Sequence, residues 1–305
     1  MKRAVNCGLV KADNMKQAIL LLSFGTPRQP SDLLPYLTSI RRGKIPTERE
    51  LKVLTARYDA IGQWDNKLLQ TMGEEQKKTL TSLLAIDAMY LAYLHMPNSM
   101  EQAIESIATA GYTSILCIVT SPFYSMIGTG AYERKLHSIL RAYPDISCEI
   151  IKSWWNRPQF FEYWRSQLMA ANPLQADTAC IFSAHSVPTS TVGSYEDEVM
   201  SASNQIAKMV GLNHWYQAWQ SAAPYGEWLG PTIESVIEQA LIDGAKRIVC
   251  IPFGFVSDHV EILYDIICRN IVENAGATYE RLPMPNGNTL FMEAMAKAIR
   301  ERINK

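Results

Sequence analysis

Apolar residues in this chain fall in short unbroken runs of strand length, separated by stretches of helical period. AILLLS (18–23), DAMYLAYLH (87–95), TSILCIVT (113–120) and CEIIKSW (148–154) are the runs of the first half. TACIFSAH (178–185), HWYQAWQS (214–221), RIVCIPFGF (247–255) and GATYERLP (276–283) are those of the second. Apolarity that is continuous rather than alternating marks strands buried on both faces. Helical patterns lie between them, at 32–40, 48–59, 71–84, 100–110, 131–142, 157–170, 195–210, 232–243 and 258–268, and a last one at 289–303. This alternation predicts an α/β fold with parallel sheets covered by helices. The pattern restarts near 173–177, so the chain reads as two Rossmann-like domains, each with a four-stranded parallel sheet. The expected divisions are 16–175, 176–288, and a helix at 289–305 packing back on the first domain. Residues 1–15 read as an extension, with Met15 an alternative start.

Ligands of open α/β sheets bind beyond the C-terminal ends of the strands. His185 closes TACIFSAH, where a neutral imidazole could accept a proton near pH 7. Glu261 follows RIVCIPFGF and has two readings. Asp258-His259-Val260-Glu261 spells a capping box, in which the glutamate only satisfies amides at a helix start. The same position also points a carboxylate into the crevice. Asp265 lies one turn on, on the same helical face, and could extend an acidic path for metal. His259 reads as a loop-orienting residue. His95 ends the second strand and either lines an opposite wall or bonds to the backbone there.

Arg41, Arg42 and Lys44 form a compact positive patch. It is either a solvated helix end or a mouth that pairs with substrate carboxylates, for which arginine offers a planar fork. Phe24, Phe123, Tyr124, Met126, Trp228 and Phe255 fall at strand ends, where they would suit a flat aromatic ligand.

Composition narrows the classes. With 29 Lys+Arg against 30 Asp+Glu the net charge is -1, which argues against a broad nucleic-acid surface, since that needs clustered positive charge. No run of 18 apolar residues is present, so no integral membrane segment is expected, and no secretory signal is legible. The 6 cysteines lack CxxC spacing and read as free thiols of a reducing cytoplasm.

At this density of motifs the chain resembles the ferrochelatase family, closest to the soluble Gram-positive type that acts on coproporphyrin. SAHSVP (183–188), WQS (219–221), WLGP (228–231) and PFGFVSDHVEILYD (252–265) carry the likeness. SFGTP (23–27), IRRGK (40–44), RYDAIG (57–62) and YERLPMPN (279–286) support it. The resemblance implies insertion of Fe2+, as substrate, into a porphyrin, with no organic cofactor. It places the catalytic histidine on His185 and its partner glutamate on Glu261, both also candidate metal contacts. It places propionate-binding arginines on Arg41 and Arg42, and the opposite-wall histidine on His95. Phe24, Tyr124 and Trp228 are further candidate substrate contacts. The chain departs from the family pattern at Phe24, where a tyrosine is usual, at Gln63-Trp64-Asp65-Asn66, and at Arg269, where an acid is expected. A cytoplasmic monomer, with transient contacts to other haem-pathway proteins, is the expected form. The alternatives are a chelatase for another tetrapyrrole or metal, and a non-catalytic porphyrin- or haem-binding protein on the same scaffold.

Overall fold

The structure is a computed structural model and describes residues 16–66, 69, 71–223 and 225–303. The expected extension at 1–15 and the Asp65 side chain lie outside what is described. The first half runs β1 (Gln17–Ser23), α1 (Leu33–Ile40), α2 (Glu48–Ala60), α3 (Gln63–Asn66), α4 (Met72–Leu84), β2 (Met89–Tyr93), α5 (Ser99–Thr109), β3 (Ser114–Val119), α6 (Thr129–Leu140), β4 (Ser147–Ile151) and α7 (Pro158–Ala170). The second runs β5 (Thr178–His185), α8 (Tyr195–Val210), β6 (Tyr216–Gln220), α9 (Ile233–Ile242), β7 (Arg247–Ile251), α10 (Val260–Leu263), α11 (Ile266–Asn274), β8 (Thr278–Arg281) and α12 (Thr289–Ile303).

Both sheets are four-stranded, parallel and built in the same order: β2-β1-β3-β4 and β6-β5-β7-β8. In each, the strand order reverses beside the first strand of the half. A crevice therefore opens at the ends of β1 and β3, and another at the ends of β5 and β7. His185 is the last residue of β5, and Glu261 lies ten residues past the end of β7.

The continuous apolar runs become strands sealed on both faces. Ile115 to Val119 and Ile181 to Ala184 are fully buried. Gly254 brings the loop after β7 onto β5. A Cβ there would stand 2.4 Å from Ala184 Cβ, with Ala184 Cα at 2.6 Å, so any other residue would push this loop away from the end of β5. α12 lies against the first half: Phe291 packs edge-on to Trp154 and Tyr163, and Arg300 Nη2 donates to Leu83 O at 2.8 Å. Gln76 and Thr79 of α4 donate to the carbonyls of Asn286 and Gly287. Among the described residues no helix is long and apolar enough to cross a membrane.

One expected element is different. The helix expected over 258–268 is two helices, α10 and α11, with a break at Tyr264 and Asp265. The capping box does not form: His259 is the N-cap of α10 and makes no side-chain cap. Asp258 is taken by partners distant in sequence. Its N–H donates to Asn286 Oδ1 at 2.8 Å, its Oδ2 accepts from Asn286 Nδ2 at 2.8 Å, and Arg281 stands 3.7 Å from its Oδ1.

Candidate active site

The site is built on the end of β5. His185 Nδ1 stands 2.6 Å from the carbonyl of Ser186. A carbonyl only accepts, so Nδ1 carries the proton and Nε2 of the neutral ring keeps its lone pair. That Nε2 is 3.9 Å from Glu261 Oε2. The β5–β6 register pairs His185 with Gln220, so Ser221 follows one step beyond, and its hydroxyl donates to Glu261 Oε2 at 2.7 Å. Ser221 holds a φ of 62°, a left-handed conformation that costs energy for a residue with a Cβ. Strain of this kind gathers at functional sites.

His259 completes the arrangement. Its Nδ1 donates to Ser257 O at 3.0 Å, and its Nε2 is 4.0 Å from Glu261 Oε2. Two imidazoles with the same fixed tautomer therefore face one carboxylate oxygen. The Phe255 ring packs against both, at 6.3 Å from His185 and 4.9 Å from His259. Burial pushes the Glu261 carboxyl up, but the two imidazoles, the Ser221 hydroxyl and Arg57 outweigh it and hold the group below its usual range. Burial holds His259 below the usual imidazole range, against the pull of Glu261. Glu261 is therefore an anion near neutral pH, and 36% of its side-chain surface is open. The arrangement can take a proton on His185 Nε2 and stabilise the resulting imidazolium.

The first half closes on this turn through a small apolar cluster. Leu33, Tyr58 and Leu69 pack with Leu51, Leu54, Val260 and Leu263, which brings α1 and α2 against the residues flanking Glu261. Arg57 lies 5.6 Å over the Tyr264 ring. Sequence reasoning passed over Arg57, Ser221 and the placement of His259. The signals were present in the motifs: Ser221 ends WQS directly after a strand end, Arg57 opens RYDAIG and His259 lies in PFGFVSDHVEILYD, but nothing local ties them to Glu261.

The other expected residues have partners of their own. Phe24 is 45% exposed, and its ring meets the His95 ring edge-on at 4.4 Å. Ser39 Oγ is 3.0 Å from His95 Nδ1. Burial, with Lys135 adding to it, pushes His95 down to about 4, so the ring is neutral near pH 7. His95 also lines a cavity of about 410 Å³ with Leu34, Ser39 and Lys135. Arg41 is ion-paired with Glu50, and Arg42 is exposed. Tyr124 lies under Lys152, whose Nζ is 5.6 Å from the ring centre. Trp228 Nε1 donates to Tyr225 O at 2.9 Å, and its backbone bridges to Pro188. Asp265 is occupied by cations: Arg281 Nε at 3.2 Å and Arg269 at 3.9 Å. A metal ion arriving there would have to displace a guanidinium group. Among the described residues no three His, Cys, Asp or Glu side chains are grouped to hold a metal ion.

Comparison with known proteins agrees with this architecture. The sequence model described as ferrochelatase matches residues 16–303. A coproporphyrin III ferrochelatase of Geobacillus kaustophilus is 32% identical over 302 residues, which cover 93% of this chain and 95% of the relative. One of Staphylococcus aureus is 30% identical over 303 residues, covering 93% and 98%. Among solved structures, SirB from Bacillus subtilis with Fe3+ superposes with a TM-score of 0.61 at 12% identity, over 94% of this chain and 95% of that one. CbiX, described as the terminal enzyme of siroheme biosynthesis in denitrifying bacteria, gives 0.55 at 13% identity, over 93% and 98%. The structural likeness supports the fold alone; the match in sequence, which spans both sheets and every residue of the site, makes this chain a member of the ferrochelatase family.

Proposed function

We propose that this chain inserts Fe2+ into coproporphyrin III to give coprohaem in haem biosynthesis, with His185 and Glu261 as its catalytic pair. Ferrochelatase activity follows from the family. The choice of coproporphyrin follows the named relatives. The observation that carries the site assignment is the locked tautomer of His185, whose free Nε2 faces an anionic Glu261 at the sheet's switch point.

A free-base porphyrin must lose two pyrrole protons as Fe2+ enters. His185 Nε2 takes one, and its imidazolium is stabilised by Glu261 at 3.9 Å. The second leaves through Glu261 and His259, whose Nε2 faces the same oxygen. The ring becomes a dianion as the metal dication binds, so charge balances and iron keeps its oxidation state. No organic cofactor is needed. Arg41 and Arg42 orient the substrate by its propionates, and Phe24, His95, Tyr124 and Trp228 offer flat surfaces to the macrocycle.

We assign the reaction to the cytoplasm. Cys117, Cys148, Cys180, Cys250 and Cys268 are free thiols, which suits a reducing compartment. The test is anaerobic incubation of purified protein with Fe2+ and either coproporphyrin III or protoporphyrin IX, followed by absorption. Faster metallation of coproporphyrin is expected. Tight binding without metallation would instead make the protein a porphyrin carrier, and preference for protoporphyrin would overturn the substrate assignment.

A further inference from the structure

Arg41 is the C-cap of α1, and its backbone N–H donates to Leu37 O at 3.0 Å. Its guanidinium is held from another element. Glu50 lies in the first turn of α2, where it forms a true capping box with Thr47. Glu50 Oε2 accepts from Thr47 N at 2.7 Å and from Thr47 Oγ1 at 2.8 Å. The other oxygen, Oε1, accepts from Arg41 Nη1. The carboxylate is thus divided: one oxygen fixes it to its own helix start, and the other fixes the arginine. The Thr47 N–H leads the contacts that hold the Glu50 carboxyl below its usual range, so it stays an anion.

A free arginine side chain on a surface samples many rotamers, and a carboxylate that captures it must stop them all. Most exposed ion pairs contribute little because both partners pay that cost. Here one partner is already immobile. Glu50 takes only Nη1, and 32% of the Arg41 side-chain surface stays open, so Glu50 does not saturate the fork. Donors remain for a second anion.

We propose that Glu50 is a positioning residue that holds Arg41 in the orientation that receives a carboxylate of the porphyrin substrate. The inference rests on Arg41 being a propionate contact, as in the reading above. It names Glu50 as a determinant of affinity for carboxylated porphyrins, acting through Arg41 and without touching substrate.

The test is a double-mutant cycle on coproporphyrin III binding, followed by porphyrin fluorescence without iron, together with steady-state kinetics. Glu50→Ala should weaken binding about fivefold in the wild-type background and raise KM, with kcat within about twofold. In the Arg41→Ala background the same change should shift binding by less than about 1.5-fold. Thr47→Ala, which removes the hydroxyl contact and leaves the backbone N–H contact to Glu50 in place, should weaken binding by less than Glu50→Ala does. An equal loss in both backgrounds would show that Glu50 serves only the stability of α2, and would overturn the inference. Tighter binding by Glu50→Ala would do the same, since Glu50 would then merely neutralise the arginine. If Arg41→Ala alone binds as wild type does, the inference falls, while wild-type metallation still upholds the ferrochelatase reading.

Discussion

Ser221 donates its hydroxyl to Glu261 Oε2, the same oxygen that His185 and His259 face. One carboxylate oxygen thus accepts a hydroxyl from just beyond β6 and faces two imidazoles, one at the end of β5 and one at the start of α10. The hydroxyl is the only one of the three within hydrogen-bond distance, at 2.7 Å. It fixes the carboxylate, while the Nε2 atoms of the two imidazoles stay outside hydrogen-bond distance of it.

Removal of this donor should weaken the site without unfolding it. A hydrogen bond to a charged group contributes about 1.5–3 kcal/mol. Ser221→Ala should raise the Glu261 pKa and lower turnover about tenfold, on the order of 1.4 kcal/mol. The check is the initial rate of metallation, with the thermal midpoint measured beside it. Unchanged rates would show that Glu261 needs no such anchor.

His185→Ala should lower metal insertion by about 10²–10⁴-fold, the range of a lost general base, with the fold retained. Glu261→Gln separates charge from hydrogen bonding, because the amide oxygen still accepts from Ser221. Turnover should fall about 100-fold while circular dichroism and the thermal midpoint stay near the wild type. No capping box depends on Glu261, so retention of normal turnover would leave the residue without a role.

His95 gives a pH-dependent stability with a defined sign. Its folded pKa, about 4, lies below the ordinary 6.5. The unfolded chain therefore binds the proton more readily. The stabilisation is present above pH 6.5 and is lost as pH falls toward 4. Allowing for solvent screening, it is about 2 kcal/mol. His95→Phe should flatten the fall in thermal midpoint between pH 6.5 and 4.5. A slope equal to that of the wild type would assign the fall to other groups.

Phe24 supplies no oxygen to a metal, but its exposed ring can pack on a porphyrin. Phe24→Tyr should alter the preference among Fe2+, Zn2+ and Co2+ or the rate of product release. Porphyrin affinity should change by less than about tenfold, or about 1.4 kcal/mol. Parallel metallation assays with the three ions decide it; identical profiles would place position 24 beyond the metal's reach.

The sequence made His185 legible because an unbroken apolar run gives both the strand and its end, and the end is where chemistry gathers in this fold. It could not decide Glu261. The letters DHVE fit a capping box as well as a site, and the capping box is undone by Asn286, 28 residues away, which occupies Asp258 at both its N–H and its carboxylate. The surroundings of Asp265 were hidden for a related reason: the helix expected through it breaks at Tyr264 and Asp265, and Arg281 comes from β8 to meet it. The strands were readable since burial on both faces leaves a local signature. Pairings between distant loops leave none.

The position of α12 has a consequence for how the chain is made. Its apolar face is buried against α4 and α7, so elements laid down early in synthesis are covered by a helix that follows the whole second half. As the chain leaves the ribosome from its N-terminus, the surfaces that will receive Phe291, Met292 and Met295 stay bare until the second half has been joined. A growing chain that exposes such a surface is open to aggregation. The two halves are built to one plan, yet the first acquires its complete core only after the second has been translated.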